Sequence, residues 1–195
     1  MRENKIINTI ETERLYLRQW QAGDFATFAD MNADPEVMQY FPKLLTPKVS
    51  DIIANKCQQL IADNGWGLWA VSLKVDEENS GGFIGFVGLN DTHADMSFAP
   101  AVEIAWRLHN DYWGQGYATE AARASLHFAF TELGLDEVVS FTAVINKRSQ
   151  LIMQRIGMTG TQDNFYHPAL KATHPLAEHV LYKISRQQWQ DSVSS

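Results

Sequence analysis

The sequence predicts an α/β (α+β) protein in which helices cover a mixed sheet. Three observations predict it. Runs that alternate apolar and polar residues recur along the chain, as at Thr12 to Trp20 and Val102 to Leu108. Between such runs lie stretches with apolar residues at helical spacing, opened by capping residues or closed by glycine. The order is strand, helices, three strands, helix, strand, helix, strand, so hairpins come first and a strand–helix–strand unit follows.

Taken in order, Leu15 and Leu17 share one face of the first strand, with Arg14, Tyr16 and Arg18 on the other. Asp24 reads as the N-cap of a short helix with Phe25, Phe28 and Ala29 on its apolar stripe. Asp34-Pro35 reads as a second helix start, and Thr46-Pro47 as a third. Behind the third, Ile53, Cys57, Leu60 and Ile61 repeat at helical spacing up to a stop at Gly65. Gly67 to Leu73 and Phe83 to Leu89 form a hairpin-like pair around an acidic, glycine-rich turn at Asp76 to Gly82. Asn90 to Pro100 is a polar loop. After the strand Val102 to Leu108 and a glycine-rich stretch, a helix at Thr119 to Leu133 is expected to bury Ala122, Leu126, Ala129, Phe130 and Leu133. Val138 to Ile145 is a strand, and Asn146 caps a helix that stops at Gly157. A loop at Phe165 to Glu178 precedes a last strand, His179 to Ile184. No repeat or linker interrupts the 195 residues, which predicts a single domain over 1–195 with its core at about 10–185.

Composition excludes several function classes. Hydrophobic residues make up 45% and charged ones 20%, as expected of a soluble globular chain. A net charge of −7 argues against a broad nucleic-acid surface. No apolar run is long enough to span a membrane, and the first residues lack a signal-peptide core, so the expected setting is cytoplasmic, with no membrane partner. The single cysteine, Cys57, falls in a helical apolar pattern and reads as core rather than nucleophile. His167, His174 and His179 fit no compact zinc spacing, so no metal is expected. Their loop either shapes a pocket or simply packs. Trp66, Trp69, Phe83 and Phe86 read as core or pocket wall.

The stretch Trp113-Gly114-Gln115-Gly116-Tyr117-Ala118 stands between a strand and a helix start. A helix N-terminus carries unpaired N–H groups and a partial positive charge, and glycine lets an anion approach them. The stretch is therefore either a phosphate or pyrophosphate cradle, or a tight turn that needs glycine for its backbone alone. A phosphate-binding loop of the nucleotide-hydrolase kind is only weakly supported, because no lysine follows Gly116.

Glu103 to Leu108 together with Trp113 to Ala121 resembles the acetyl-CoA signature of the GNAT N-acetyltransferases, in the variant of the RimJ/RimL type, which acetylates ribosomal proteins and small amines. Asn146-Lys147-Arg148-Ser149, Ile156-Gly157-Met158 and the opening Glu13 to Arg18 are also similar to that family. One position departs: Trp113 stands where the family pattern has Gln or Arg. The resemblance implies the GNAT fold, a mixed, mostly antiparallel central sheet flanked by helices on both faces. It implies an acetyltransferase that uses acetyl-CoA as cosubstrate and attacks directly with a primary amine in a ternary complex. The acceptor would be a small molecule or a protein N-terminus. A catalytically degenerate coenzyme A-binding module is the alternative.

The resemblance also implies roles. The N–H groups of Gly114, Gln115, Gly116, Tyr117, Ala118 and Thr119 would hold the pyrophosphate. The strand edge at Ile104, Ala105, Trp106 and Arg107 would pair with the pantetheine amides, and one of its N–H groups would polarise the acetyl carbonyl. Asn146 would contact the pantetheine, act as a pure N-cap, or do both. Ser149 would donate to the departing thiolate or stand as a solvated first-turn serine. Glu103 would take the amine proton through a water or be an ordinary strand carboxylate.

Overall fold

The computed structural model describes residues 8–75 and 80–193. The chain divides into two compact units. The first comprises Met1–Leu89 and Ala105–Ser125. It holds strands β1 (Ile10–Glu11), β2 (Leu15–Arg18) and β3 (Leu68–Lys74), most of β4 (Ser80–Asp91) and the latter part of β5 (Val102–Leu108), in that order across the sheet. Helices α1 (Asp24–Ala33) and α2 (Pro47–Asn64) belong to it, and α3 (Tyr117–Thr131) begins in it.

The alternation of β2 is real: Leu15 and Leu17 are fully buried, while Tyr16 and Arg18 are only half so. Their antiparallel partners on β3 are Leu73 and Val71. Trp20, Phe28, Phe83 and Phe86 form an aromatic core, with Trp20 and Phe28 crossing edge-on at 5.0 Å. Helix α2 starts as predicted, with Thr46 accepting from the Val49 N–H and Pro47 in its first turn, and ends on Gly65 at φ +82°.

Two predicted caps are corrected. Asp24 lies inside α1, whose N-cap is Gly23. Its carboxylate grips the Arg18 guanidinium at 2.8 and 2.9 Å and accepts from the Gln21 N–H, so the ion pair takes the oxygens that a cap would use. Asp34-Pro35 opens no helix. Asp34 Oδ1 accepts from the Glu36 and Val37 N–H groups, as at a helix start, but residues 35–40 make only turns. Pro42 lies ahead and drives Phe41 away from helical angles.

The second unit comprises Asn90–Ile104 and Leu126–Ser195. The opening residues of β5 pair in parallel with β6 (Glu137–Ala143) at Glu103↔Val139. Antiparallel β9 (Glu178–Ser185) pairs with β6 along its whole length, from Glu137↔Ser185 to Ala143↔His179. Short strands β7 (Thr159–Gly160) and β8 (Phe165–Tyr166) pair with β9. Val138, Val139, Leu126, Ala129, Met153 and Ile184 are buried. Helix α4 (Lys147–Arg155) follows β6, and α5 (Arg186–Val193) follows β9.

Helix α5 and the strands β7 and β8 were not expected from the sequence. The signal for α5 was present as a capping box: Ser185 Oγ accepts from the Gln188 N–H, and Gln188 Oε1 accepts from the Ser185 N–H. Trp189 of this helix stacks against Phe130 at 5.3 Å. The architecture is thus a mixed, mostly antiparallel sheet flanked by helices. Among the described residues, no helix is long and apolar enough to cross a membrane. The predicted turn at Asp76 to Gly82 lies largely outside the described residues.

One glycine decides how closely β4 and β5 approach. Gly85 sits at φ +142°, and a Cβ there would fall onto the Arg107 carbonyl oxygen and within 2.7 Å of Leu108 Cα. Both obstacles are backbone, so neither can swing aside. Gly85→Ala should destabilise the fold by about 3 kcal/mol or more, read as a lower urea midpoint with an unchanged slope.

Candidate active site

The glycine-rich stretch forms an exposed loop after a single 3₁₀ turn at Asn110–Tyr112. Gly114 and Gly116 take φ of +76° and +85°, which other residues adopt only with strain. Helix α3 begins immediately after, at Tyr117. Among the described residues, the backbone N–H groups from Gly114 to Thr119 donate to no protein acceptor, whereas the next, Glu120 N–H, closes the first turn onto the Gly116 carbonyl. Open space surrounds the position of a Cβ on Gly114. Trp113 is half-buried and donates its Nε1–H to the Leu108 carbonyl at 2.9 Å, so a hydrogen bond anchors the loop's start.

Arg14 and Glu120 hold this loop in place. Glu120 Oε1 accepts from the Thr12 hydroxyl at 2.6 Å and from the Arg14 N–H at 2.9 Å. Its Oε2 accepts from Arg14 Nε at 2.7 Å and Nη2 at 2.6 Å. Arg14 Nη1 donates to the Gln115 carbonyl at 2.9 Å, and the guanidinium lies 4.6 Å from the centre of the Tyr117 ring. Burial pushes the Glu120 carboxyl up. The hydrogen bonds from Thr12 and Arg14 and the Arg14 charge outweigh that and hold it below the usual carboxylate range. Neither residue was expected in the site, because 106 residues separate them and no local pattern links them.

On β5, Ile104 is fully buried, and Ala105, Trp106 and Arg107 are half-buried. The Ile104 carbonyl accepts from the buried Ser140 hydroxyl at 2.9 Å. The Arg107 side chain turns to α1, where Nη1 donates to Asn32 Oδ1 at 2.5 Å. Glu103 is half-buried, and among the described residues no donor or cation pairs with it. Burial alone pushes its carboxyl up to about 7.

Asn146 and Ser149 meet at the start of α4. Asn146 Oδ1 accepts from the Ser149 N–H at 3.2 Å, as an N-cap. That fixes the amide, whose Nδ2 then donates to Ser149 Oγ at 3.0 Å and to Thr142 Oγ1 at 2.9 Å. The Ser149 oxygen is thereby an acceptor, and its own proton is left to donate outward. No hydrogen bond joins Glu103 to this pair among the described residues.

The histidines of the late loop pack. His167 and His179 lie 5.1 Å apart within a cluster of Phe98, Phe141 and Phe165, and burial lowers the pKa of both. His174 Nδ1 accepts from the Leu176 N–H in a turn. Cys57 is buried, and desolvation raises its thiol to about 11 against the pull of Lys56 and Arg107.

Residues 14–159 match the model of the acetyltransferase (GNAT) domain. The chain is 26% identical over 181 residues to the uncharacterized N-acetyltransferase YnaD of Bacillus subtilis (strain 168), covering 92% of this chain and 98% of that one. A GNAT-family acetyltransferase from Bacillus anthracis superposes with a TM-score of 0.75 at 23% identity, over 92% of this chain and 99% of that one. Spermidine N-acetyltransferase from Vibrio cholerae, solved with CoA and spermine, superposes at 0.71 and 18% identity, over 92% and 99%. At these identities the two structures share the fold.

The raised Glu103 carboxyl has a consequence for stability. Its folded pKa lies above its unfolded value, so the native state binds the proton more tightly. Stability is lost as pH rises from the usual carboxylate range towards about 7 and is flat above that. Glu103→Gln removes this titration. The melting temperature of the variant should therefore gain on the parent as pH goes from 5 to 7, measured by scanning calorimetry in matched buffers. A constant difference would mean that the carboxyl titrates normally.

Proposed function

We propose a cofactor site and a reaction from one premise: this chain belongs to the GNAT acetyltransferase family. It is an N-acetyltransferase, and members of that family draw acetyl from acetyl-CoA. The finer reading is a cytoplasmic enzyme of the RimJ/RimL type, acting as one domain. A primary amine, on a small molecule or a protein N-terminus, attacks the thioester directly. The observation that carries the cofactor reading is the row of unpartnered N–H groups from Gly114 to Thr119, presented by two glycines at positive φ. Such a row matches a pyrophosphate in both charge and hydrogen-bond demand.

In this reading each residue has one task. Gly114 to Thr119 bind the pyrophosphate through the backbone, and Arg14 keeps their conformation through the Gln115 carbonyl. The backbone of Ile104 to Arg107 receives the pantetheine arm as an added strand. Asn146 holds the Ser149 oxygen, and Ser149 donates its proton to the thiolate as it leaves. Glu103, with a carboxyl near neutrality, accepts the amine proton through a water and returns it to solvent. A covalent acetyl-enzyme finds no nucleophile here, because the one thiol is buried and protonated. No metal is needed for these steps.

Two measurements test the reading. Gly116→Val places a branched side chain at φ +85°, with its Cβ 3.3 Å from Arg14 Nη2, and should weaken coenzyme A binding in calorimetry by about tenfold or more while the fold survives. Unchanged affinity would remove the pyrophosphate from this loop. Ser149→Ala should lower kcat by roughly 10²-fold with little change in acetyl-CoA binding, since the hydroxyl acts as the thiolate forms. A loss confined to binding would make Ser149 a cap residue only.

A further inference from the structure

Arg107 is placed as no structural arginine needs to be. Its guanidinium has five N–H donors, and one neutral oxygen, Asn32 Oδ1, is its hydrogen-bond partner among the described residues. Its Nε is fully enclosed and has no partner. The guanidinium carbon lies 3.9 Å from the centre of the Phe41 ring and 5.4 Å from that of Phe86. Asn32 is itself fully buried, and its Nδ2 donates to Ser50 Oγ at 3.1 Å, which orients the amide with Oδ1 towards Arg107. Burial lowers the guanidinium pKa to about 10, and the Cys57 thiol, not a carboxylate, is the group that acts against it.

A desolvated cation without a counter-ion costs several kcal/mol, and glutamine or leucine would fill the same space without that cost. The cost is recovered when a ligand brings the missing charge. A single guanidinium matches one negative charge in a planar fork, which is the demand of a carboxylate. A phosphate dianion carries more charge than one guanidinium matches.

We propose that Arg107 receives a carboxylate of the acceptor, so that the amine this enzyme acetylates belongs to an amino acid or another amine bearing a carboxylate. The proposal rests on the acetyltransferase reading above and narrows its substrate. The side chain and the backbone of Arg107 then serve different partners, the carboxylate and the pantetheine strand.

The test compares matched acceptors on the intact protein, with acetyl-CoA as donor and thiol release as readout. Each of a panel of amino acids, α and ω, is paired with its own amide. Wild type should favour the acid in kcat/KM by roughly 10- to 100-fold, the worth of a charged hydrogen bond. In Arg107→Gln the ratio of acid to amide should fall towards one, and Arg107→Lys, which keeps the charge and loses the fork, should lie between. A wild-type ratio near one overturns the proposal without any variant, as does a ratio that survives Arg107→Gln. Failure of the underlying reading looks different: coenzyme A would not raise the melting temperature, and neither member of any pair would turn over.

Discussion

The grip of Glu120 on Arg14 is the interaction on which the glycine loop before α3 depends. A loop with two glycines at positive φ has many conformations open to it when unfolded, and ordering it costs conformational entropy. The ion pair ties the first turn of α3 to the β1–β2 turn, and Arg14 then holds the loop by the Gln115 carbonyl. The loop's N–H groups stay unpaired and point-ready because a carbonyl, not an amide, is used as the handle. The same economy recurs at α4, where Asn146 uses its oxygen to cap and its nitrogen to orient the Ser149 hydroxyl. In both places the polar groups that serve the fold leave other hydrogen-bonding groups free.

Much of the fold was legible because it rests on local patterns. The alternation of Leu15 and Leu17, the Thr46-Pro47 cap, the stop at Gly65 and the Asn146 cap all follow from periodicity and capping chemistry. Where reading failed, a partner distant from the pattern took over. Asp24 has the sequence of a cap, but Arg18 claimed its oxygens. Asp34 makes the hydrogen bonds of a helix start, yet the chain leaves them after one turn before Phe41-Pro42. Strands of two residues such as β7 and β8 carry no period to detect. Helix α5 did carry a signal, the reciprocal Ser185–Gln188 box, and it went unread because no strong apolar stripe follows it.

For the site, residue types were legible and environments were not. The glycine loop, Glu103, Asn146 and Ser149 stand out from sequence by spacing and by resemblance. What desolvates Glu103, what pins Ser149 Oγ and what leaves the Arg107 guanidinium unmatched are properties of three-dimensional neighbourhoods. Asn32 reaches Arg107, and Arg14 reaches the Gln115 carbonyl, through contacts that sequence separation hides. The same holds for the late histidines, whose loop the sequence leaves as pocket-shaping or packing; His167 and His179 pack ring to ring, and His174 closes a turn.

The proposed cradle for the coenzyme A pyrophosphate is the backbone from Gly114 to Thr119. It is tested by amide chemical shifts of the ¹⁵N-labelled protein, followed through a titration with coenzyme A. The account predicts that the N–H signals of Gly114 to Thr119 move downfield together, saturate at one affinity, and move likewise with the 3′-phosphoadenosine pyrophosphate fragment alone. Signals that stay in place while coenzyme A binds elsewhere would contradict it.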